Sequence, residues 1–402
     1  MDFIPVLLGS DMNVYGMARS FHEAYAIHSV AFGKMVLPAT RYSQIVTVHP
    51  TPGLEEDEVF VKTLMDYAGK QDKPLLLIAC GDTYLELVIR HRDTLKKGFH
   101  VPYVDQDMMD RLESKESFYA ICEKYGLDYP KTQIISSENY RTFKPTFDYP
   151  IILKPSNSAM YWVVSFPGKK KAFVANNEEE KNNILHAVYH SDYTDHFIAQ
   201  EFIPGDDSSM RVMNNYSTRK GEVVMQSLGH VLLEEHSPQG IGSHAAIIGI
   251  RDRELQQRVK NFLEDIGYIG FSNFDMKYDE RDGRYKFFEI NLRQGRSSFY
   301  TTFSGCNLAK YLVEDYVLNK EIPYETIKPG YLWHVVPIGL IKKYVQDQDV
   351  IKRVKEIVRS GHHGNSLVYK KDLSLKRRLR QMKDYYGYYK KYKMHFGKKG
   401  LG

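Results

Sequence analysis

Cysteine is scarce: Cys80, Cys122 and Cys306 are the only three in 402 residues, far apart and in no CxxC pair. That excludes a disulfide framework and argues against a zinc site, and it fits a reducing compartment. Cys80 and Cys122 lie in apolar patterns and read as buried structural thiols. Long apolar runs are also missing; none approaches the roughly 18–20 residues that span a bilayer. Met1-Asp2-Phe3-Ile4-Pro5 has no basic segment and Asp11 soon breaks the apolar run, so the start does not read as a signal peptide. The expectation is a soluble, cytoplasmic protein. No internal repeat recurs at a fixed period. Charge of one sign is nearly balanced overall, at +5, but unevenly placed: residues 370–399 carry twelve Lys/Arg against two Asp. The remainder is therefore acidic, and the basicity belongs to a tail.

What is present is ordinary globular material, 43% hydrophobic and 26% charged, with enough length for two or three domains. Phe3–Leu8 reads as a strand ending at Gly9-Ser10-Asp11 before a helix over Tyr15–Ala26. Leu75–Cys80 repeats the pattern, ending at Gly81-Asp82 before a helix over Tyr84–Arg92. Strand, glycine turn, helix is the parallel α/β signature. Ligands in such sheets sit at the carboxyl ends of strands, so Gly9–Asn13 and Gly81–Thr83 are candidate substrate loops; glycines that merely permit tight turns are the equal alternative. Further on come a helix over Lys115–Tyr125, a buried strand Ile151–Lys154, a helix over 178–191, a strand Ile198–Ile203, a strand-rich stretch Met210–Ile250 and a helix Leu255–Ile266. Residues 306–319 read as helix, and Glu321–Gly330, with Pro323 and Pro329, reads as a linker.

The chemistry concentrates in Phe271–Ser298. Two apolar-alternating runs flank the turn cluster Asp279–Gly283, which makes a β-hairpin. Glu289 and Asn291, two apart, share a face. Asp275 precedes Glu289 by fourteen positions, so the two share a face only if the loop is odd. Arg281-Asp282-Gly283 as a three-residue loop, closed by glycine in the left-handed conformation, meets that condition. Three oxygen ligands then converge on an otherwise apolar surface, where a hard cation such as Mg²⁺ relieves the repulsion between carboxylates. The alternative is a solvent-exposed hairpin with incidental polar residues. Against it, Asn291 runs directly into Leu292-Arg293-Gln294-Gly295-Arg296-Ser297-Ser298, and two arginines in a Gly/Ser turn suit a carboxylate or acyl phosphate.

An acid on one strand, Glu-x-Asn on the next and an Arg/Gly turn resemble the ATP-grasp ligases. The resemblance implies an α/β and α+β protein with the ATP-grasp fold. Its parts would be an N-terminal parallel α/β pre-ATP-grasp domain (1–114), an ATP-grasp domain (115–320, subdomains 115–198 and 199–320) and a basic, tyrosine-rich C-terminal region (321–402). It makes Lys115 and Lys154 the phosphate-binding lysines, and Lys154, closing a buried strand, needs an anionic partner on physical grounds as well. Pro155–Tyr161 becomes the mobile phosphate-covering loop, Gln200-Glu201-Phe202-Ile203 the hinge whose backbone reads adenine, and Asp207 the ribose ligand. Two features depart from the pattern. The segment Ser156-Asn157-Ser158-Ala159-Met160 has no glycine, and Asn273 stands where relatives joining two D-alanines place an arginine. No lysine occurs between Gly221 and Ile250, so Arg211, His230 or His244 would take a further phosphate contact.

More specific strings (Pro5–Ser20, Phe202–Asp207, Asn273–Asp279 and Glu289–Ser298) look like the D-aspartate ligases of Gram-positive peptidoglycan synthesis. That resemblance implies ATP and two Mg²⁺ ions, with Asp275, Glu289 and Asn291 as metal ligands. D-aspartate would be activated as an acyl phosphate stabilised by Arg293 and Arg296, then captured by the ε-amine of lysine in a UDP-linked muramyl peptide precursor. Asp11, Asn13, Ser297 and Ser298 are candidate substrate contacts, with helix or turn capping an equal role for Asp11 and Asn13. The amine, with a reference pKa of about 10.4, needs a base or a desolvating pocket, for which no residue stands out. Another small amino acid or amine acceptor is the nearest rival. For the tail, a precursor diphosphate, an anionic membrane face as a peripheral contact and a solvated helix all fit. Nucleic acid is not expected, and a nucleic-acid-binding protein remains the distant alternative.

Overall fold

The computed structural model describes residues 2–156, 158–237, 240 and 242–397, apart from the side chains at 158, 159 and 162. Four parallel strands open the chain: β1 (Ile4–Leu8), β2 (Ser29–Gly33), β3 (Val46–Pro50) and β4 (Leu75–Ala79), in the order β3-β2-β1-β4. β1 and β4 are apolar along their length and almost wholly buried, as central parallel strands covered on both faces must be. β2, β3 and the helix Asp57–Ala68 did not stand out in the sequence; the two strands, SVAFG and VTVHP, lack the continuous apolar run of β1 and β4, and β3 is half exposed. Gly9, at φ +117°, turns the chain out of β1, and Asp11 caps the helix Met12–Tyr25 by accepting from the backbone of Asn13 and Val14 at 3.0 and 3.2 Å.

A second, antiparallel sheet follows: β5 (Thr132–Ile135), β6 (Ile151–Pro155), β7 (Phe173–Ala175) and β8 (Phe197–Glu201), ordered β5-β8-β6-β7. It has a core of its own around Ile135, Leu153, Leu185 and Phe197. The segment expected as a covering loop folds in part as the short helix Ser158–Val163, and Asn157 lies outside the described residues.

The third sheet has eight strands. Its path is β13-β12-β9-β10-β11-β15-β16, with β14 beside β10. The members are β9 (Met210–Ser217), β10 (Val223–Glu234), β11 (His244–Ile250), β12 (Gly270–Asp279), β13 (Arg284–Asn291), β14 (Glu325–Thr326), β15 (Leu332–His334) and β16 (His363–Gly364). Polar residues inside it bond one another: Gln226 donates to Asn215, Asn215 to Ser272, and both Asn273 and Ser298 to Asn214, at 2.7–3.2 Å. The stretch expected as a linker therefore contributes β14, and the C-terminal region supplies β15 and β16.

The basic tail is mainly the helix Leu375–His395, and one face of it is docked. Arg377 is 2% exposed and pairs with the fully buried Asp372, which also accepts from Tyr15 at 2.8 Å and Ser43 at 2.9 Å. Tyr388 and Tyr392 reach the end of β10, donating to Glu235 Oε1 at 3.3 Å and the Glu234 carbonyl at 2.7 Å. On the outward face Leu375, Leu379 and Tyr386 are 75, 60 and 63% exposed. Cys80, Cys122 and Cys306 are free and buried. No described helix is long and apolar enough to cross a membrane.

Candidate active site

Asp275 on β12 stands opposite Glu289 on β13, and Asn273 opposite Asn291. The face anticipated from spacing is present, but a different device creates it. Asp279 pairs with Arg284, so the loop has four residues, Glu280–Gly283, with Gly283 at φ +70°. An even loop would put Asp275 and Glu289 out of phase. A β-bulge at Phe288 corrects the parity: Met276 pairs with Phe287 while Asp275 pairs with Glu289. The bulge is held from outside, since Tyr119 donates to the Phe288 carbonyl at 3.2 Å and the Phe287 N–H reaches Asp128 at 2.8 Å.

The resulting face is charged and crowded. Desolvation, then the charge of Glu289, then that of Glu234, push Asp275 well above the usual carboxylate range. Asp275 Oδ1 is buried and makes no hydrogen bond among the described residues, and His244 Nε2 lies 3.9 Å from it. Asn291 turns its amide nitrogen to Asp275 Oδ2 (3.1 Å) and Asn273 Oδ1 (3.2 Å), which leaves its oxygen for a ligand. Among the described residues no group of three or more His, Cys, Asp or Glu forms a preassembled metal cage. Two carboxylates and an amide oxygen, one acid atom orphaned, are nevertheless the hard-oxygen set that Mg²⁺ takes when phosphates complete its shell. Asn273, standing in for an arginine, props Asn291. Glu234, 3.8 Å from His244, is an acid the sequence reading missed, because it closes an almost wholly buried strand after the apolar run Val231–Leu233.

Lys154 approaches the hairpin from the second sheet, its Nζ 5.9 Å from the centre of the Phe288 ring. Lys154 donates to Gln200 Oε1 at 2.9 Å, and Gln200 in turn donates to Tyr119 at 2.8 Å. Tyr119 thus joins the lysine to the bulge. Burial, and then the charge of Lys115 at the start of the helix Lys115–Lys124, lower Lys154 to about 7. Past Glu201, whose partner Ile151 is the last register pair of β8, the chain leaves the sheet at Phe202 and Ile203. Glu201 accepts from Arg281 at 2.8 Å, and Lys277 clips the segment to β12 through the carbonyls of Ile203 (2.9 Å) and Gly205 (2.8 Å).

Several expected ligands are committed elsewhere. Asp207 is 5% exposed and accepts from the Glu234 N–H (2.9 Å) and His236 (2.8 Å), so it clamps β10 and is not free for a ribose; Asp206 is the exposed acid there. Arg211 and His230 both bond the Ser208 carbonyl, at 2.7 Å each, and do not face the hairpin acids. Asn13 is buried and brackets the carbonyls of Cys80 and Gln294 at 3.1 Å, a structural role. Ser298 gives its hydroxyl to Asn214, whereas Ser297 Oγ lies 3.3 Å from His244 Nδ1.

The arginine turn meets the first domain. Arg293 makes a bidentate pair with Asp82, at 2.7 and 2.8 Å, and its charge bears on both Asp275 and Asp11. Arg296 pairs with Glu235 at 3.0 Å. Asp11 and Arg296 line a cavity of about 1700 Å³ that continues along the C-terminal helix. Lys154 on one side, an acid face and two arginines, of which Arg296 lines a large cavity, suit phosphoryl transfer to a carboxylate followed by its capture.

Comparison with known proteins agrees. No family model matches the chain. A D-aspartate ligase of Enterococcus faecium is 44% identical over 408 residues, covering 98% of this chain and 97% of that protein. An L-amino acid ligase from Bacillus licheniformis superposes with a TM-score of 0.56 at 16% identity, over 82% of this chain and 78% of its own. The biotin carboxylase domain of the Hydrogenobacter thermophilus 2-oxoglutarate carboxylase, solved with MgADP, ADP and bicarbonate, gives 0.59 at 14% identity over 83 and 74%. These structures carry the ATP-grasp fold.

Proposed function

The chain belongs to the D-aspartate ligases, and from that premise we propose that it joins the β-carboxylate of D-aspartate to the ε-amine of lysine in a UDP-linked muramyl peptide. The carrying observation is the acid face of Asp275, Glu289 and Asn291, set between Lys154 and Arg293. Lys115 and Lys154 orient the nucleotide phosphates, with the chain past Glu201 on the adenine side. Two Mg²⁺ ions held by Asp275, Glu289 and Asn291 would offset phosphate charge during transfer. A β-carboxylate oxygen of D-aspartate attacks the γ-phosphorus, the bond to the β-phosphate oxygen breaks, and ADP leaves. Arg293, fixed by Asp82, and Arg296 stabilise the acyl phosphate and the oxyanion formed when the amine adds. The carbon–phosphate oxygen bond then breaks, releasing phosphate and the amide, and the amine's proton passes to a base or to water.

Phosphate release by purified protein with ATP, Mg²⁺, a muramyl peptide acceptor and a panel of amino acids tests this. D-aspartate should support the fastest release, and silence with D-aspartate alone of the panel overturns the substrate assignment. We place the reaction in the cytoplasm, where ATP and the precursor occur. The exposed apolar stripe of the C-terminal helix, flanked by lysines, supports a peripheral contact with anionic membrane. Leu379→Ser combined with Tyr386→Ser should halve or abolish sedimentation with phosphatidylglycerol vesicles; unchanged sedimentation removes that contact.

A further inference from the structure

The cavity beside Arg296 is larger than its established neighbours need. At about 1700 Å³ it exceeds the few hundred to 1,000 Å³ typical of a small-ligand pocket, and D-aspartate would fill a fraction of it. Its charge is polarised. At the end next to the acid face stand Asp11 and Glu235, the latter paired with Arg296. Along the C-terminal segment stand Lys370, Lys371, Arg378 and Lys383, which have no acidic partner among the described residues. Of the other cations of the wall, Arg19 is spent on Glu23, Arg377 on Asp372 and Arg380 on Asp384, and Lys391 lies over the Tyr388 ring.

The helix Met12–Tyr25 gives a ruler. Asp11 caps its first turn, and His22 in its last turn is 2.9 Å from Tyr369, which Lys370 and Lys371 follow directly. Eleven residues at about 1.5 Å each separate the two ends by roughly 16 Å. A ligand that fills this space carries a cationic amine at one end and concentrated negative charge some 16 Å away.

We infer that this cavity is the acceptor site. Lys370, Lys371, Arg378 and Lys383 bind a diphosphate on the acceptor, remote from the amine that Asp11 and Glu235 draw toward the acyl phosphate. This rests on the ligase reading above. The C-terminal helix is then a wall of the active site, docked through Asp372–Arg377 and Tyr388–Glu235, with its exposed cations along the cavity's solvent-facing rim.

The test compares KM for two acceptors, a diphosphate-bearing muramyl peptide and the same peptide lacking the diphosphate, in wild type and in Lys371→Gln combined with Arg378→Gln. Loss of two charge contacts should raise KM for the diphosphate form about tenfold or more. KM for the truncated peptide should move less than about twofold. Equal shifts for both peptides, or none for either, overturn the assignment. Nucleotide-linked and lipid-linked diphosphates run as separate arms; a rise in either supports it and the arm identifies the carrier. Wild-type hydroxamate formation from D-aspartate, ATP and hydroxylamine tests the ligase reading without an acceptor in the cavity. Failure there brings down that reading and this site with it, whereas hydroxamate formation with flat KM values rejects the site alone.

Discussion

The acid face and the cationic cavity are built in opposite ways. The acid face comes from a single hairpin of 22 residues, Gly270–Asn291. Its ligands are near neighbours in sequence, and local register holds them. The cavity joins the end of β1, the residues after β10, the arginine turn and a C-terminal helix more than 350 residues from Asp11. Long-range bonds hold it: Asp372 to Tyr15 and Arg377, Tyr388 to Glu235, Asp82 to Arg293. Chemistry placed on the hairpin should therefore fail residue by residue, while the cavity should fail by undocking.

The sharpest separation is expected from Asp275→Ala or Glu289→Ala. Each should lower turnover by about 10³-fold or more, while acceptor binding measured by calorimetry stays within about twofold. Acceptor binding that disappears with turnover would show that the two regions are not separate. Asp372→Ala attacks the other side. It strands the buried Arg377 charge and should cost about 3–5 kcal/mol of stability, read from denaturant unfolding. A loss below about 1 kcal/mol would mean that the helix is held by its tyrosines. Asp82→Ala leaves the fold standing but frees Arg293. kcat should fall about 10–100-fold, and KM for ATP should change far less. An equal rise in KM for ATP with kcat intact would move Arg293 out of the chemical step.

The smallest effect is a proton. Lys154, lowered to about 7 by burial and then by Lys115, is largely neutral at pH 8 in the free protein. Between about pH 7 and 10.4 the unfolded chain binds the extra proton, so this group's contribution to stability rises with pH across that window. ATP phosphates favour the charged lysine, so binding at pH 8 should take up close to one proton, and at pH 6 almost none. Calorimetry in buffers of different ionisation enthalpy measures this. Equal uptake at both pH values would assign the proton to another group, and Lys154→Met should abolish it.

Much of this was legible from residues alone. β1, β4, the hairpin and the helix opened by Lys115 follow from apolar runs, glycine turns and capping signals, which are local. The opposition of Asp275 and Glu289 was also anticipated, although through a three-residue loop. The four-residue loop and the bulge at Phe288 reach the same parity. The bulge marks the alternation only by setting the inward Phe287 and Ile290 three residues apart, and Tyr119, which holds it, comes from another element. The same limit applies to Asp207. An acid after a Pro-Gly turn reads as exposed, and only the fold brings the Glu234 backbone and His236 to it.

By itself the sequence determined the hairpin, the shared face of Asp275, Glu289 and Asn291, the strand-end lysine and the basic tail, since each depends on spacings of a few residues. The tertiary structure decided which charges are spent and which stay available. Arg293 is fixed by Asp82, Arg377 is buried on Asp372, and Lys371 and Arg378 face a cavity without acidic partners among the described residues. Whether a charge is satisfied depends on partners hundreds of residues away, and the pairing of distant residues is set by packing rather than by local pattern.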